Sequence, residues 1–302
     1  MEYGVRSKRL VLSCSNFSMP SKLKCSIVLS LSLFLSYGLG ASFDHSYRDW
    51  DTVLNTHVYG TLVDYAKLSN DSSLLSKYLN QLNSVSLEEM DSWSREKQLA
   101  FWINAYNAFT VQAILDHYPI QTRTIKGLVV PRNSIIQIPG VWKELQWNVA
   151  GESLTIDYIE HGLLRPKFKE PRMHFAIVCA SIGCPDLRPE AFTYDKLDTQ
   201  LEEQTHRYLA NTEKGVKLEF DKKRICVFQL FKWYNEDFLV APITGFKVEQ
   251  RNEKERIAFQ FISHFITDPR ALKLLQSKDT DFDYLSYDWS LNERPQPDDP
   301  DS

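Results

Sequence analysis

The chain has 302 residues with 35 basic and 39 acidic side chains, a formal net charge of −4. Removing Met1–Gly40, which carries five basic residues and one acidic one, takes that charge to −8; the balance favours solubility and speaks against nucleic acid as the main partner, because phosphate binding rests on clustered Lys and Arg. Only Cys179, Cys184 and Cys226 lie beyond Gly40, too few and the wrong parity for a disulfide scaffold, which a chain this long does not need.

The first ~40 residues read as an export signal: Lys22 and Lys24 precede the apolar run Ile27 to Tyr37, and Gly38, Gly40 and Ala41 follow it. That run is too short to span a bilayer as a helix. Read from Met19 the signal has an ordinary length, so Met1 to Ser18 reads as an upstream extension. Cys25 sits too early to be a lipid-anchored residue. The expectation is an exported protein, periplasmic or secreted, with no transmembrane helix after cleavage. Residues 41–295 are enough for one globular domain, and 296–302, with Asp298, Asp299 and Asp301, read as a disordered acidic tail.

From Asp44 to Ser92 the chain is helical in pieces, with Tyr47, Trp50, Val53 and Leu54 at helical spacing and a further helix near Ser72 to Leu82. The strongest helix runs from Ser94 to about Tyr118: Ser94 can cap it, Glu96 sits in its first turn and Pro119 stops it. Leu99, Trp102, Ile103, Tyr106, Phe109 and Thr110 predict one broad buried face. Beyond Lys126 the segment to Gly140 is irregular, and QWNVAGESLTI then reads as a hairpin turning at Gly151 and feeding a helix from Thr155. A buried strand is predicted over Met173 to Cys179, then a helix over Lys196 to Leu209 and a hairpin of Val216 to Phe220 with Arg224 to Leu230. FKWYNEDF, a helix over Glu253 to Ile266 and DYLSYDWSLN, read as an edge strand, complete the chain. Helices gather first and strands later, which predicts an α+β fold: a helix-rich N-terminal half packed on a mostly antiparallel sheet in a single domain.

Five segments in this order, FWINAYNAFTV, LTIDYIEHGLLR, HFAIVCASIGCPDLRPEAF, FKWYNEDF and YDWSLN, resemble the family catalogued as domain of unknown function 547. The resemblance covers nearly the whole chain after the signal and implies no settled activity, substrate or catalytic residue. The chemistry has to come from the residues.

The stretch HFAIVCASIGC, closed by Pro185, concentrates His174, Cys179 and Cys184. Pro is favoured at the first position of a helix, so Cys184 is placed at an N-cap whose backbone N–H groups would lower a thiol pKa. His174 and His161 offer imidazoles, and Glu160 or Asp237 an orienting acid, so the parts of a thiol-dependent hydrolase or acyl transferase are present: Cys184 as nucleophile and His174 as base. Glu160 and His161 are neighbours on a helix, so only one is expected to face the cleft. Arg165 reads as an ion-pair partner and Cys226 as a buried hydrophobe.

Competing readings stand beside each of these. Asn104 and Asn107 share one side of the long helix and either line the cleft as oxyanion donors or hydrogen-bond neighbouring loops. The spacing of Cys179 and Cys184 permits a disulfide, which needs Cα atoms about 5.5 Å apart and would remove the nucleophile. His161, His174, Cys179 and Cys184 are ligand types for zinc but lack the paired spacing of common structural sites, so no metal is expected, and no motif asks for a cofactor. In the rival class, a non-catalytic envelope binding module, Trp102, Trp233 and Tyr234, with Asp237 nearby, stack a flat ligand or sugar face, while Tyr106 and Phe109 read as core. The partner expected in either class is a small molecule, a peptide or an envelope component.

Overall fold

The chain divides into two units, Met1–Gly40 and Ala41–Ser302. The computed structural model describes residues 42–121, 131, 133–241, 246–248 and 251–295, all in the second unit. The expected signal region, the acidic tail and part of the irregular stretch after Lys126 lie outside the described residues.

Short helices α1 (Arg48–His57), α2 (Tyr65–Asn70), α3 (Ser73–Ser84) and α4 (Leu87–Asp91), with the small hairpin β1 (Val58–Tyr59) and β2 (Leu62–Val63), lead into the long helix α5 (Arg95–Leu115). Ser94 caps α5 through its hydroxyl, which accepts the Lys97 N–H at 3.3 Å. Every residue from Gln98 to Val111 is buried. The periodicity predicted one broad face, but α5 is covered all round, as a helix with apolar and small residues on every side can be. A polar side chain there has no water to bond and must find protein partners.

The antiparallel hairpin β3 (Gln146–Val149) and β4 (Glu152–Thr155) turns through Ala150 and Gly151, both at positive φ, the left-handed conformation that two-residue hairpin turns require. Thr155 then caps a continuous helical stretch, its hydroxyl accepting the Tyr158 N–H at 3.1 Å. This stretch is α6 (Ile156–Tyr158), a π-helical turn over Ile159–Leu164, and α7 (Arg165–Phe168).

The predicted strand over Met173 to Cys179 is absent. Pro171–Phe175 forms a 3-10 turn, Ala176 and Ile177 donate back to the Met173 carbonyl, and the chain then runs irregularly through Cys179. Its outward polar groups pair with a side chain rather than a neighbouring strand: Asn107 Nδ2 donates to the Ala176 carbonyl at 2.9 Å and Asn107 Oδ1 accepts the Val178 N–H at 2.9 Å. A buried irregular segment is stable only when its backbone groups are satisfied in this way. Asn104 does the same for Phe192, donating to its carbonyl at 2.7 Å and accepting its N–H at 3.0 Å.

After α8 (Leu197–Leu209) come the hairpin β5 (Val216–Glu219) and β6 (Arg224–Val227), α9 (Leu230–Trp233), a 3-10 turn over Asn235–Phe238, α10 (Glu253–Ser263), α11 (Pro269–Gln276) and β7 (Asp281–Tyr284). The fold is α+β, with its strands spread over sheets of two, two and three strands. These ladders are antiparallel except that β7 returns parallel to β6, as the intervening helical crossover allows. The predicted edge strand DYLSYDWSLN is strand only at its start; beyond Tyr284 it leaves the sheet and lies along the Ala180–Gly183 loop.

Two apolar clusters fill the unit. One surrounds α5; the other is phenylalanine-rich, built from Phe175, Phe228, Phe231, Phe238, Phe259 and Phe261 around β5, β6 and α10. Met173 and Ala176 belong to the first cluster and Phe175 to the second. The Met173–Cys179 segment therefore runs along the seam between them.

Candidate active site

A cavity of about 290 Å³ opens at this seam. Its lining draws Tyr106 from α5, Glu160 and His161 from the π-helical turn, Cys179 and Cys184 from the irregular segment, and Trp233, Tyr287 and Trp289 from the C-terminal part. Glu160 and His161 both line it, although adjacent residues on an α-helix diverge too far for that to be expected. The wider i→i+5 turn brings successive side chains closer in direction, and π-turns recur at functional sites for such reasons.

Cys179, not Cys184, is the thiol in the polar environment. Cys179 Sγ lies 2.9 Å from Tyr287 Oη and 3.2 Å from Ser181 Oγ, and the two hydroxyls are 3.0 Å apart. Cys179 is partly exposed, whereas Cys184 is buried at 5% exposure and its sulfur accepts the Cys179 backbone N–H at 2.9 Å. Burial raises the Cys179 pKa, but hydrogen bonds from Cys184, Ser181 and Tyr287 outweigh it and bring the thiol below its ordinary value. Burial and the neighbouring Cys179 push the Cys184 thiol well above its own. The expected helix N-cap at Cys184 does not exist, since residues 185–188 are not helical, so no array of free N–H groups lowers that thiol. Both cysteines are free thiols, and the disulfide reading is not what this structure contains.

Loop geometry delivers these groups. Ala180, directly after Cys179, has φ of 56°, a left-handed conformation that costs a non-glycine residue about 1–2 kcal/mol. The Ile182 and Gly183 N–H groups donate to the Ser290 and Asp288 carbonyls, both at 2.8 Å. A Cβ on Gly183 would meet the Asp288 backbone nitrogen at 2.8 Å, so glycine permits the approach that brings Tyr287 onto Cys179.

Glu160 is buried and accepts the Tyr106 hydroxyl at 3.1 Å, with the Tyr234 hydroxyl also in hydrogen-bonding reach. Tyr106, read as core from the sequence, is buried, yet its hydroxyl belongs to this site. Burial first, then the Glu160 carboxylate, raises the Tyr234 pKa and keeps its hydroxyl a donor.

His174 faces the same cavity, but its Nε2 lies 2.7 Å from Asp237 Oδ2. Arg165 grips Asp237 through two nitrogens, one of them 3.1 Å from Oδ1. Burial would raise the Asp237 carboxyl, but the hydrogen bonds from His174 and Arg165 outweigh it and hold its pKa at about 2. An ionised carboxylate only accepts, so His174 Nε2 carries a proton and donates. The imidazole stacks on Tyr234 with ring centroids 4.5 Å apart, and the Arg165 guanidinium lies 5.0 Å from the same ring. Asp237, His174 and Arg165 thus orient Tyr234 toward Glu160. Among the described residues no hydrogen bond joins His174 or His161 to a cysteine sulfur. His161 Nδ1 accepts from Arg165 at 3.0 Å, and its Nε2 faces Asp157 at 3.8 Å.

The other sequence candidates divide cleanly. The Asn104 and Asn107 amides each bond backbone groups of a neighbouring segment, and neither residue is among those lining the cavity. Trp102 is 5% exposed, packs edge-on to Phe101 and does not line the cavity. Trp233, 43% exposed, stands at the cavity near Trp289 with ring centroids 6.1 Å apart. Cys226 lies on the half-exposed face of β6 rather than in the core. Ser181 and Tyr287 were missed by sequence reasoning; neither stands in a local pattern that marks a thiol partner. Among the described residues no group of three or more His, Cys, Asp or Glu side chains is set to hold a metal ion, and no helix is long and apolar enough to cross a membrane.

No curated protein and no solved structure matches this chain. A family match spans three of the five motif segments, including those that supply Tyr106, Glu160 and Cys179, and stops before FKWYNEDF and YDWSLN. Residues 90–209 match the model of the family described as protein of unknown function, DUF547.

Proposed function

We propose that the protein is a thiol-dependent acyl-transfer enzyme, acting as a hydrolase or acyl transferase, with Cys179 as its nucleophile. The observation that carries the reading is the environment of one sulfur: Cys179 Sγ meets the Ser181 and Tyr287 hydroxyls at the wall of a cavity that also holds Glu160. Donors aimed at a sulfur favour its thiolate, the nucleophilic form. In the first step the thiolate adds to an acyl carbonyl and a thioester forms as the C–O, C–N or C–S bond to the leaving group breaks. Glu160, hydrogen-bonded by Tyr106, takes the proton that Cys179 loses on forming the thiolate and passes it to that leaving group. Water or an acceptor nucleophile then releases the acyl group.

The test uses p-nitrophenyl acetate as acyl donor and intact-mass detection of the acyl-enzyme. The expected result is an acetyl adduct on Cys179, lost in Cys179→Ala, with turnover reduced about 10²–10⁴-fold in Glu160→Gln. Iodoacetamide should label Cys179 at a pH below the ordinary thiol pKa of ~8.5. Absence of an adduct, or an adduct confined to Cys226, overturns the reading.

A second reading, a binding module without chemistry, draws on the exposed Trp233 beside Trp289 and Tyr287, since aromatic faces stack flat ligands and sugars. It requires ligand binding that survives Cys179→Ala. In both readings the mature protein works outside the cytoplasm, a proposal supported by the charged flank and short apolar run before Gly40.

A further inference from the structure

Cys184 has no task in acyl transfer, yet it is the nearest thiol to the proposed nucleophile. Its sulfur accepts the Cys179 N–H at 2.9 Å, and its S–H is in hydrogen-bonding reach of Cys179 Sγ. The two residues differ in the way that a reactive and a waiting thiol differ: both line the cavity, but Cys179 is partly exposed and Cys184 beside it is buried. The five-residue separation and the shared hydrogen bonds hold the sulfurs together without help from a distant segment. Paired thiols of this kind, one accessible and one adjacent, are the arrangement in which a sulfenic acid is captured as a disulfide before it oxidises further.

We propose that Cys179 and Cys184 form a nucleophile and resolving pair through which the same cavity reduces small hydroperoxides at the expense of a low-molecular-weight thiol. The inference rests on Cys179 being the reactive thiol, as in the reading above, but not on acyl transfer. The Cys179 thiolate attacks one peroxide oxygen; the O–O bond breaks, Cys179 becomes a sulfenic acid, and the departing alkoxide takes a proton from solvent. The Cys184 thiol then attacks the sulfenic sulfur. The S–S bond forms, the S–O bond breaks, and hydroxide leaves with the Cys184 proton as water. The two sulfurs together lose two electrons, which the peroxide gains. Two equivalents of an external thiol reduce the disulfide by exchange, yielding their own disulfide and both cysteines. The cavity, about 290 Å³ and walled by Trp233, Tyr287 and Trp289, suits a small hydroperoxide better than a peptide one.

The experiment treats the reduced protein with hydrogen peroxide and, separately, follows peroxide consumption with dithiothreitol as the reductant. Peptide mapping should find a Cys179–Cys184 disulfide, with Cys226 still free. Cys184→Ser should instead accumulate a dimedone-reactive sulfenic acid on Cys179, and its peroxide turnover should fall about tenfold or more, because the resolving step is lost. The mapping on the unaltered protein needs no variant, so poor folding of Cys184→Ser does not blunt the test. If Cys179 is oxidised directly to sulfinic acid with no bridge, or only Cys226 reacts, the inference is wrong. Acetylation by p-nitrophenyl acetate is scored on the same reduced preparation. Acetylation without bridging rejects the peroxide chemistry alone, and bridging without acetylation rejects acyl transfer alone.

Discussion

The Asn107 carboxamide spans the backbone of Ala176 and Val178, donating to one carbonyl and accepting the other residue's N–H, both at 2.9 Å. The residue after Val178 is Cys179, so a side chain of the central helix sets where the candidate nucleophile stands. Asn107→Ala would leave two buried backbone groups unpaired. An expected loss of about 2–6 kcal/mol follows, since each such group costs about 1–3 kcal/mol. Urea unfolding measures it, and Asn107→Asp, which sets a buried carboxylate oxygen against the Ala176 carbonyl, should lose at least as much. Alkylation of Cys179 should slow in both variants, because the thiol is no longer held against Tyr287.

Asp237 makes a pH-dependent contribution with a definite sign. Its folded pKa of about 2 lies below the ordinary aspartate value of about 3.9. Stability from this carboxylate is therefore fully present above about pH 4 and is lost as pH falls toward 2. Partial exposure of the carboxylate screens the effect and keeps it modest. Asp237→Asn should flatten the acid limb of thermal stability in that window relative to the unaltered protein. An unchanged acid limb would show that the bonds from His174 and Arg165 do not stabilise the ionised form.

Trp102 and Trp233 should separate stability from binding. Trp102 is buried in the core around α5, and Trp102→Ala should cost about 3–5 kcal/mol, lost transfer energy plus cavity. Trp233 is half exposed at the cavity, and Trp233→Ala should change stability by about 1 kcal/mol or less. Its effect should appear as a raised KM or weakened ligand binding. Equal losses of stability in the two variants would contradict this division.

Export is checked at the N-terminus. Amino-terminal sequencing of protein recovered from outside the cytoplasm should begin near Ala41, after cleavage at the small residues Gly38 to Ala41. A chain starting at Met1 or Met19 would rule this out.

Local pattern alone determined much of this protein. Ser94, Glu96 and Pro119 marked the ends of the long helix, Gly151 the β3–β4 hairpin, and the order of helices before strands the α+β class, because caps, breakers and periodicity act within a few residues of chain. The family resemblance was equally local, carried by short motifs. The strand expected at Met173 to Cys179 failed because an apolar run records only that a segment is buried, not what satisfies its backbone; Asn107, some seventy residues away, decided that. Burial of α5 on every side, likewise, was permitted by its apolar and small residues but decided by the layers packed around it.

The chemistry was decided by tertiary structure to a greater degree. The sequence placed two thiols, two imidazoles and an acid within one stretch of chain, and spacing favoured Cys184 because Pro185 suggested a helix start. The fold instead buried Cys184, gave His174 to Asp237, and brought Tyr287 from over a hundred residues away to Cys179. A thiol's reactivity depends on its solvation and on the donors within about 3 Å. Those are set by which distant loop lies across it, and here that loop is fixed by the close approach of Asp288 to Gly183.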